Sequence, residues 1–153
     1  MSVKVFFYSE KKDGKPLQDL QYATSGSAAV DIRCAEDYEI KPYVNKKIRT
    51  GLYISLPDNY CMKVFPRSGI SAKTNLIFKN TVGIIDSDYR GREIFVMWYN
   101  LGDETVSFKN GDRIAQAIVE KIEPIEYIEV NNIDFLKQFG NDRGGGIGST
   151  GLK

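Results

Sequence analysis

Histidine is missing altogether from these 153 residues. Its absence excludes Ser-His-Asp and Cys-His nucleophile machinery, and any zinc site with a histidine ligand. Without imidazole, a base working near neutral pH falls to a carboxylate. Cysteine is scarce, with only Cys34 and Cys61. Two thiols cannot close a zinc site and make a poor disulfide framework. They are expected to be free and buried, in a reducing cytosol or nucleus. No apolar run approaches the roughly 18 residues of a membrane span. The opening MSVKVFFYSEKKDGK has too short a hydrophobic stretch for a signal peptide. A net charge of +1 gives no global field for nucleic acid or an anionic membrane, so any anion site must be local.

What is present is ordinary for a globular protein: 42% hydrophobic and 27% charged residues, in a length that fits one domain with a proper core. Strand-like segments follow one another between turn signals. Val3–Tyr8, YEIKP, KKIRTGLYISL, YCMKVF, REIFVMWYNLGD and ETVSFKNGD carry β-branched and aromatic residues, and PDN marks a turn. In RIAQAIVEKIEPIEYIEV, Pro124 and the run IEYIEV favour strands over a helix, while NIDFLKQF holds one helical turn. Many short strands predict an all-β fold, a barrel or jelly roll. The last ten residues hold five of the 14 glycines. Such a tail is either plain disorder or an arm that orders on a ligand. It is not expected to be a P-loop, because GGGIGST lacks the Gly-Lys-Ser/Thr ending and no helix is expected after it.

Five stretches can carry chemistry, each with a bland reading beside the functional one. In FPRSGISAK, Arg67, Ser68 and Gly69 either clasp a phosphate or form an ordinary surface turn. In KNTVGIIDSDYRGREIF, Asp86 either holds a water for attack or braces a charged hairpin loop. Tyr89 is either core or the floor of a sugar pocket. Gln116, within IAQAI, is either satisfied by neighbouring backbone or offers its amide to a ligand. Asp31, within GSAAVDIRC, either accepts from backbone N–H groups or faces a ligand.

Taken in order, AAVDI, PRSG, GIIDSDYRG, GDRIAQ and RGGGIGSTG resemble the five motifs of the trimeric dUTPase family, over about residues 23 to 151. That resemblance implies an all-β jelly-roll or β-clip barrel over 1–140, with a flexible glycine-rich arm at 141–153. It also implies a homotrimer with active sites at subunit contacts, and Mg²⁺-dependent hydrolysis of dUTP to dUMP and pyrophosphate. Such an activity supplies dUMP for thymidylate synthesis and keeps uracil out of DNA. By the same resemblance, Asp86 activates the water that attacks the α-phosphorus. Tyr89 packs under the deoxyribose, and Asn80 with the backbone around Gly83 reads uracil in a β-hairpin pocket. Arg67, Ser68, Gly69 and Gln116 hold phosphates. Asp31 orders water around a metal held mainly by the triphosphate. Arg143, Ile147, Gly148, Ser149 and Thr150 close over another subunit's site. The protein is expected to be cytoplasmic, or nuclear in a eukaryotic or viral source, with neither nucleic acid nor membrane as partner. Two departures stand out: Ile147 replaces a stacking phenylalanine in an arm one residue shorter, and Asp86 to Asn100 is one residue longer than usual. The second predicts a β-bulge beyond Arg90.

Two rivals remain, a regulatory or binding protein on the same scaffold and a dCTP deaminase relative. The deaminases usually carry a glutamate where this chain has Met97. If the tail is a working arm, deleting residues 143–153 leaves a folded trimer with little activity, measured by sedimentation and turnover. Normal dUTP hydrolysis by the shortened chain would make the tail dispensable.

Overall fold

The computed structural model of the chain describes residues 2–140. Two compact units divide the sequence after Glu123. In the first unit the strands are β1 (Phe6–Ser9), β2 (Lys11–Lys12), β3 (Lys15–Pro16), β4 (Val30–Arg33), β5 (Tyr38–Ile40), β6 (Asn45–Ser55) and β7 (Tyr60–Phe65). A six-residue helix, α1 (Ser68–Lys73), precedes β8 (Leu76–Phe78), β9 (Gly83–Ile85), β10 (Glu93–Asn100), β11 (Val106–Phe108) and β12 (Arg113–Lys121). Among the described residues of the second unit, α2 (Ile133–Leu136) is followed by a 3-10 turn, Lys137–Phe139. No helix among the described residues is long and apolar enough to cross a membrane.

Two four-stranded antiparallel sheets, ordered β1-β6-β10-β8 and β4-β12-β7-β9, share one hydrophobic core, as the jelly-roll expectation requires. Strict alternation makes this possible. On β10, Ile94, Val96, Trp98 and Asn100 point inward and are buried, while Phe95, Met97 and Tyr99 face out. Trp98 is fully buried, with its ring edge-on to Phe78 at 4.3 Å, and its Nε1 has no partner among the described residues. Cys34 and Cys61 are free and buried, as expected. Burial pushes the Cys34 thiol above its ordinary range, and its Sγ donates to the Lys109 carbonyl at 2.9 Å.

Several local expectations need correction. PRSG is not an ordinary turn: Ser68 opens α1. The run after Pro124 forms no strand, and Ile125, Tyr127 and Ile128 are exposed. The ladder of β12 ends at Lys121, Ile122 donates one last bond to Asn59, and Pro124 has no N–H to continue. The irregularity beyond Arg90 is real, but its extra residues lie on β6. Glu93 faces Tyr53 while Phe95 faces Arg49, and Gly51 between them takes φ +62°. A Cβ there would lie 3.0 Å from both Glu10 Cβ and Leu17 Cδ1. The bulge falls where glycine tolerates it. The β2–β3 hairpin lies outside the expected strands, although its Asp13-Gly14 turn, with φ 51° and 77°, is a strong local signal.

Strand β4 lies at a sheet edge, and Gln18 seals it. The Gln18 amide, 2% exposed, donates to the Arg33 and Thr50 carbonyls at 2.8 and 2.6 Å and accepts from Arg33 N at 2.9 Å. One side chain therefore links β4 to β6 in the other sheet. Gln18→Ala is expected to lower stability by about 2–3 kcal/mol, since it strands buried backbone groups. Urea denaturation measures this, and a loss under about 1 kcal/mol would mean that water replaces the amide.

Candidate functional site

Strand β12 pairs with β4 on one edge and β7 on the other, so Asp31, Gln116 and Phe65 stand in one row across three strands. The chain leaves β7 through Pro66 and Arg67, which brings the PRSG stretch to the end of that row. Gln116 Nε2 donates to the Pro66 carbonyl at 2.9 Å. Its amide thus braces the PRSG segment, with its second N–H left over. Arg67 Nε meets Asp31 Oδ1 at 2.8 Å, and Arg113 Nη1 meets Asp31 Oδ2 at 3.3 Å. Asp31 is therefore an acceptor for two guanidinium groups and not, as its bland reading had it, for backbone N–H. Arg113 had no assigned role in the sequence reading, although it lies in GDRIAQ. Only the β4–β12 register shows that it reaches Asp31.

Arg67 caps α1 with an extended backbone, and its carbonyl accepts from Ile70 and Ser71 N–H. The N–H groups of Ser68 and Gly69 lie ahead of these and have no intrahelical partner. Both residues are exposed. Two guanidinium groups against one carboxylate, beside free N–H donors, leave a local excess of positive charge and donors in a nearly neutral chain. A depression of about 540 Å³ adjoins it, lined in part by Ser27, Ala28, Ala29, Pro66 and Gln116.

On its other edge, β7 pairs with β9, with Gly83 opposite Val64. A Cβ on Gly83 would lie 3.3 Å from Val64 Cβ and 3.6 Å from Asn80 Nδ2. Glycine therefore lets the Asn80 amide approach the strand. The expected hairpin is absent here: β8 pairs with β10 and β9 with β7, so residues 79–82 cross from one sheet to the other.

After β9 the chain turns at Asp86, whose backbone carbonyl accepts from Tyr89 N–H at 3.1 Å. The exposed Asp86 carboxylate has no hydrogen-bond or ion-pair partner among the described residues, so it is not the group that braces the turn. Tyr89 is half-buried. Its hydroxyl donates to the Glu93 carbonyl at 3.1 Å, and the Arg92 guanidinium carbon lies 5.8 Å from its ring centre. Arg90 anchors the turn from outside through the Ser87 carbonyl at 2.8 Å and Asp58 at 2.7 Å.

The structure thus gathers Asp31, Arg67, Ser68, Gly69 and Gln116 at one end of β7, and Asn80 with Gly83 beside that end. It does not bring Asp86 and Tyr89 to them. Ile85 faces Met62, so Asp86 lies toward the start of β7. The six residues of β7 span roughly 17 Å. Arg143, Ile147, Gly148, Ser149 and Thr150 lie outside the described residues.

The Asp31–Arg67 pair is partly exposed, with side chains at 26% and 28%. A double-mutant cycle with Asp31→Asn and Arg67→Gln is expected to give a coupling of about 1 kcal/mol or less in unfolding. A much larger value would make the pair a stability element first.

Known proteins resemble this chain in sequence and in fold. A family model, dUTPase, matches residues 15–151. The deoxyuridine 5'-triphosphate nucleotidohydrolase of Finegoldia magna is 42% identical over 153 residues, covering 99% of each chain. That of Wolinella succinogenes is 42% identical over 130 residues, covering 85% of this chain and 84% of its own. Among solved structures, the dUTPase from Streptococcus mutans superposes with a TM-score of 0.73 at 25% identity, covering 79% of this chain and 98% of that one. A Staphylococcus bacteriophage 80alpha dUTPase with dUpNHpp gives a TM-score of 0.81 at 21% identity, covering 97% and 99%. The chain belongs to the dUTPase family.

Proposed function

We propose that this chain hydrolyses dUTP to dUMP and pyrophosphate, and so supplies dUMP and keeps uracil out of DNA. The observation that carries the reading is that one chain holds both an anion-binding cluster, at Arg67, Ser68 and Gly69, and, at the other end of β7, an unpartnered carboxylate at Asp86 near a fixed tyrosine. Asp86 takes a proton from water as the water oxygen bonds to the α-phosphorus. The bond from that phosphorus to the bridging oxygen breaks, and pyrophosphate leaves. Such chemistry needs positioning and charge neutralisation more than a covalent intermediate. The fixed Tyr89 ring serves as the floor under deoxyribose and leaves no room for a 2′-hydroxyl. Asn80 and the backbone at Gly83 meet the uracil edge. Gln116 offers its remaining N–H to phosphate. Arg143, Ile147, Gly148, Ser149 and Thr150 take their family roles in a closing arm.

Mg²⁺ fits this donor set only as a partner of the substrate. No cluster of three metal-ligating side chains occurs among the described residues. Asp31 is a single carboxylate shared by two arginines, with lone pairs left for a metal-bound water. When bound to the triphosphate, the ion neutralises phosphate charge. A structural Mg(II) ion is named for the phage phi11 dUTPase.

The working form is a homotrimer in the cytoplasm. Two observations support assembly. The phosphate-facing and water-facing residues of one chain lie at opposite ends of β7, so joining them across a subunit contact completes a site. Edge strand β1 also exposes Phe6, Phe7 and Tyr8, at 70%, 47% and 61%.

Asp86→Asn is expected to retain nucleotide binding and lose roughly 10²–10⁴ in turnover, the range for one general base. Turnover within a few-fold of the unsubstituted protein would remove Asp86 as the base. Pyrophosphate release assayed over dUTP, UTP, dCTP and dTTP, with and without Mg²⁺, should select dUTP with the ion. Ammonia from dCTP would point instead to a deaminase.

A further inference from the structure

Among the described non-glycine residues with positive φ, Thr81, at 59°, is the one with a β-branched side chain. Asp13 and Asn59 take this conformation at small cost, as Asp and Asn do elsewhere. For a β-branched residue it is strained. Val82 N–H donates to the Asn80 carbonyl at 2.5 Å, so residues 80–82 form a three-residue γ-turn centred on Thr81.

Both flanks force the turn. Lys79 N–H is held by the Met97 carbonyl at 3.0 Å, in the sheet of β10. Gly83 is held opposite Val64, in the sheet of β7. Three residues must therefore carry the chain from one sheet to the other. Thr81 N–H adds a bond to the Phe78 carbonyl at 3.2 Å. The Asn80 carbonyl is committed to the turn, while the Asn80 side-chain amide has no partner among the described residues and lies beside Gly83.

We propose that Thr81 is a positioning residue for base recognition: its strained turn fixes the direction in which the Asn80 amide points before nucleotide arrives. The inference rests on the dUTP reading above and extends it to a residue that does not itself meet the base. A glycine would make the same crossing without strain, but it would let the turn sample other shapes and leave the amide unaimed. The stiff threonine side chain removes that freedom. Preorganisation of this kind appears in affinity, because a turn that is competent in only about a tenth of molecules raises the apparent Kd about tenfold.

The test compares Thr81→Gly and Thr81→Asn in the full-length protein, using dUTP turnover and calorimetric binding of an α,β-imido dUTP analogue. Thr81→Gly should melt no lower than the unsubstituted protein. Its KM for dUTP and its Kd for the analogue should rise about tenfold, kcat should hold within about twofold, and preference for dUTP over dCTP should narrow. Thr81→Asn suits positive φ while keeping a side chain, and should restore most of the affinity. An unchanged KM in Thr81→Gly, a loss confined to kcat, a lowered melting temperature, or no recovery in Thr81→Asn would each overturn the inference. Failure of the unsubstituted protein to hydrolyse dUTP or bind the analogue would overturn both readings. Normal turnover with an indifferent Thr81→Gly would overturn this one alone.

Discussion

The described residues proposed to hold the nucleotide are arranged about one doubly paired strand, β7. Its hydrogen bonds to β12 set Gln116 against Phe65 and so bring Asp31 within reach of Arg67. Its hydrogen bonds to β9 set Gly83 against Val64 and send Asp86 off toward the opposite end. A slip of one residue on either edge would turn every side chain of the neighbouring strand to the other face. The register is therefore what gathers Asp31, Arg67 and Gln116 at one end of β7.

That register is itself secured by packing. Met62 and Val64 of β7 enter the same core as Ile94, Val96 and Trp98 of β10, so the two sheets cannot slide without exposing apolar surface. Polar groups that cannot reach a ladder are met by side chains. Asn100, fully buried, donates to the Ile40 and Glu104 carbonyls and accepts from Gly102 N–H. Arg49 ties Glu10, Glu36 and Glu93 together beside the β6 bulge. These partners hold steady the irregular places where the backbone leaves its sheet.

The sequence made some of this legible and hid the rest for physical reasons. Alternation along REIFVMWYN identifies β10 and its inward face, because a strand half-buried on one side must alternate. The five motifs, read in order, point to the family. What pattern cannot give is pairing. IEYIEV is rich in β-branched and aromatic residues, yet it finds no edge among the described residues, and propensity alone does not make a ladder. The family resemblance implied a hairpin around Asn80 and Gly83, but β8 pairs with β10 and β9 with β7. Arg113 and Asp31, 82 residues apart, meet only through the β4–β12 register. The Asp13-Gly14 hairpin is fully local, and its turn is a signal that sequence alone carries.

Trp98 is the molecule's single tryptophan, sealed from water between the two sheets and edge-on to Phe78. A lone indole in such a place is a built-in optical gauge of the wall that separates the layers. Its light carries no contribution from a second fluorophore of its kind, so any reddening of the emission marks solvent reaching the heart of the barrel.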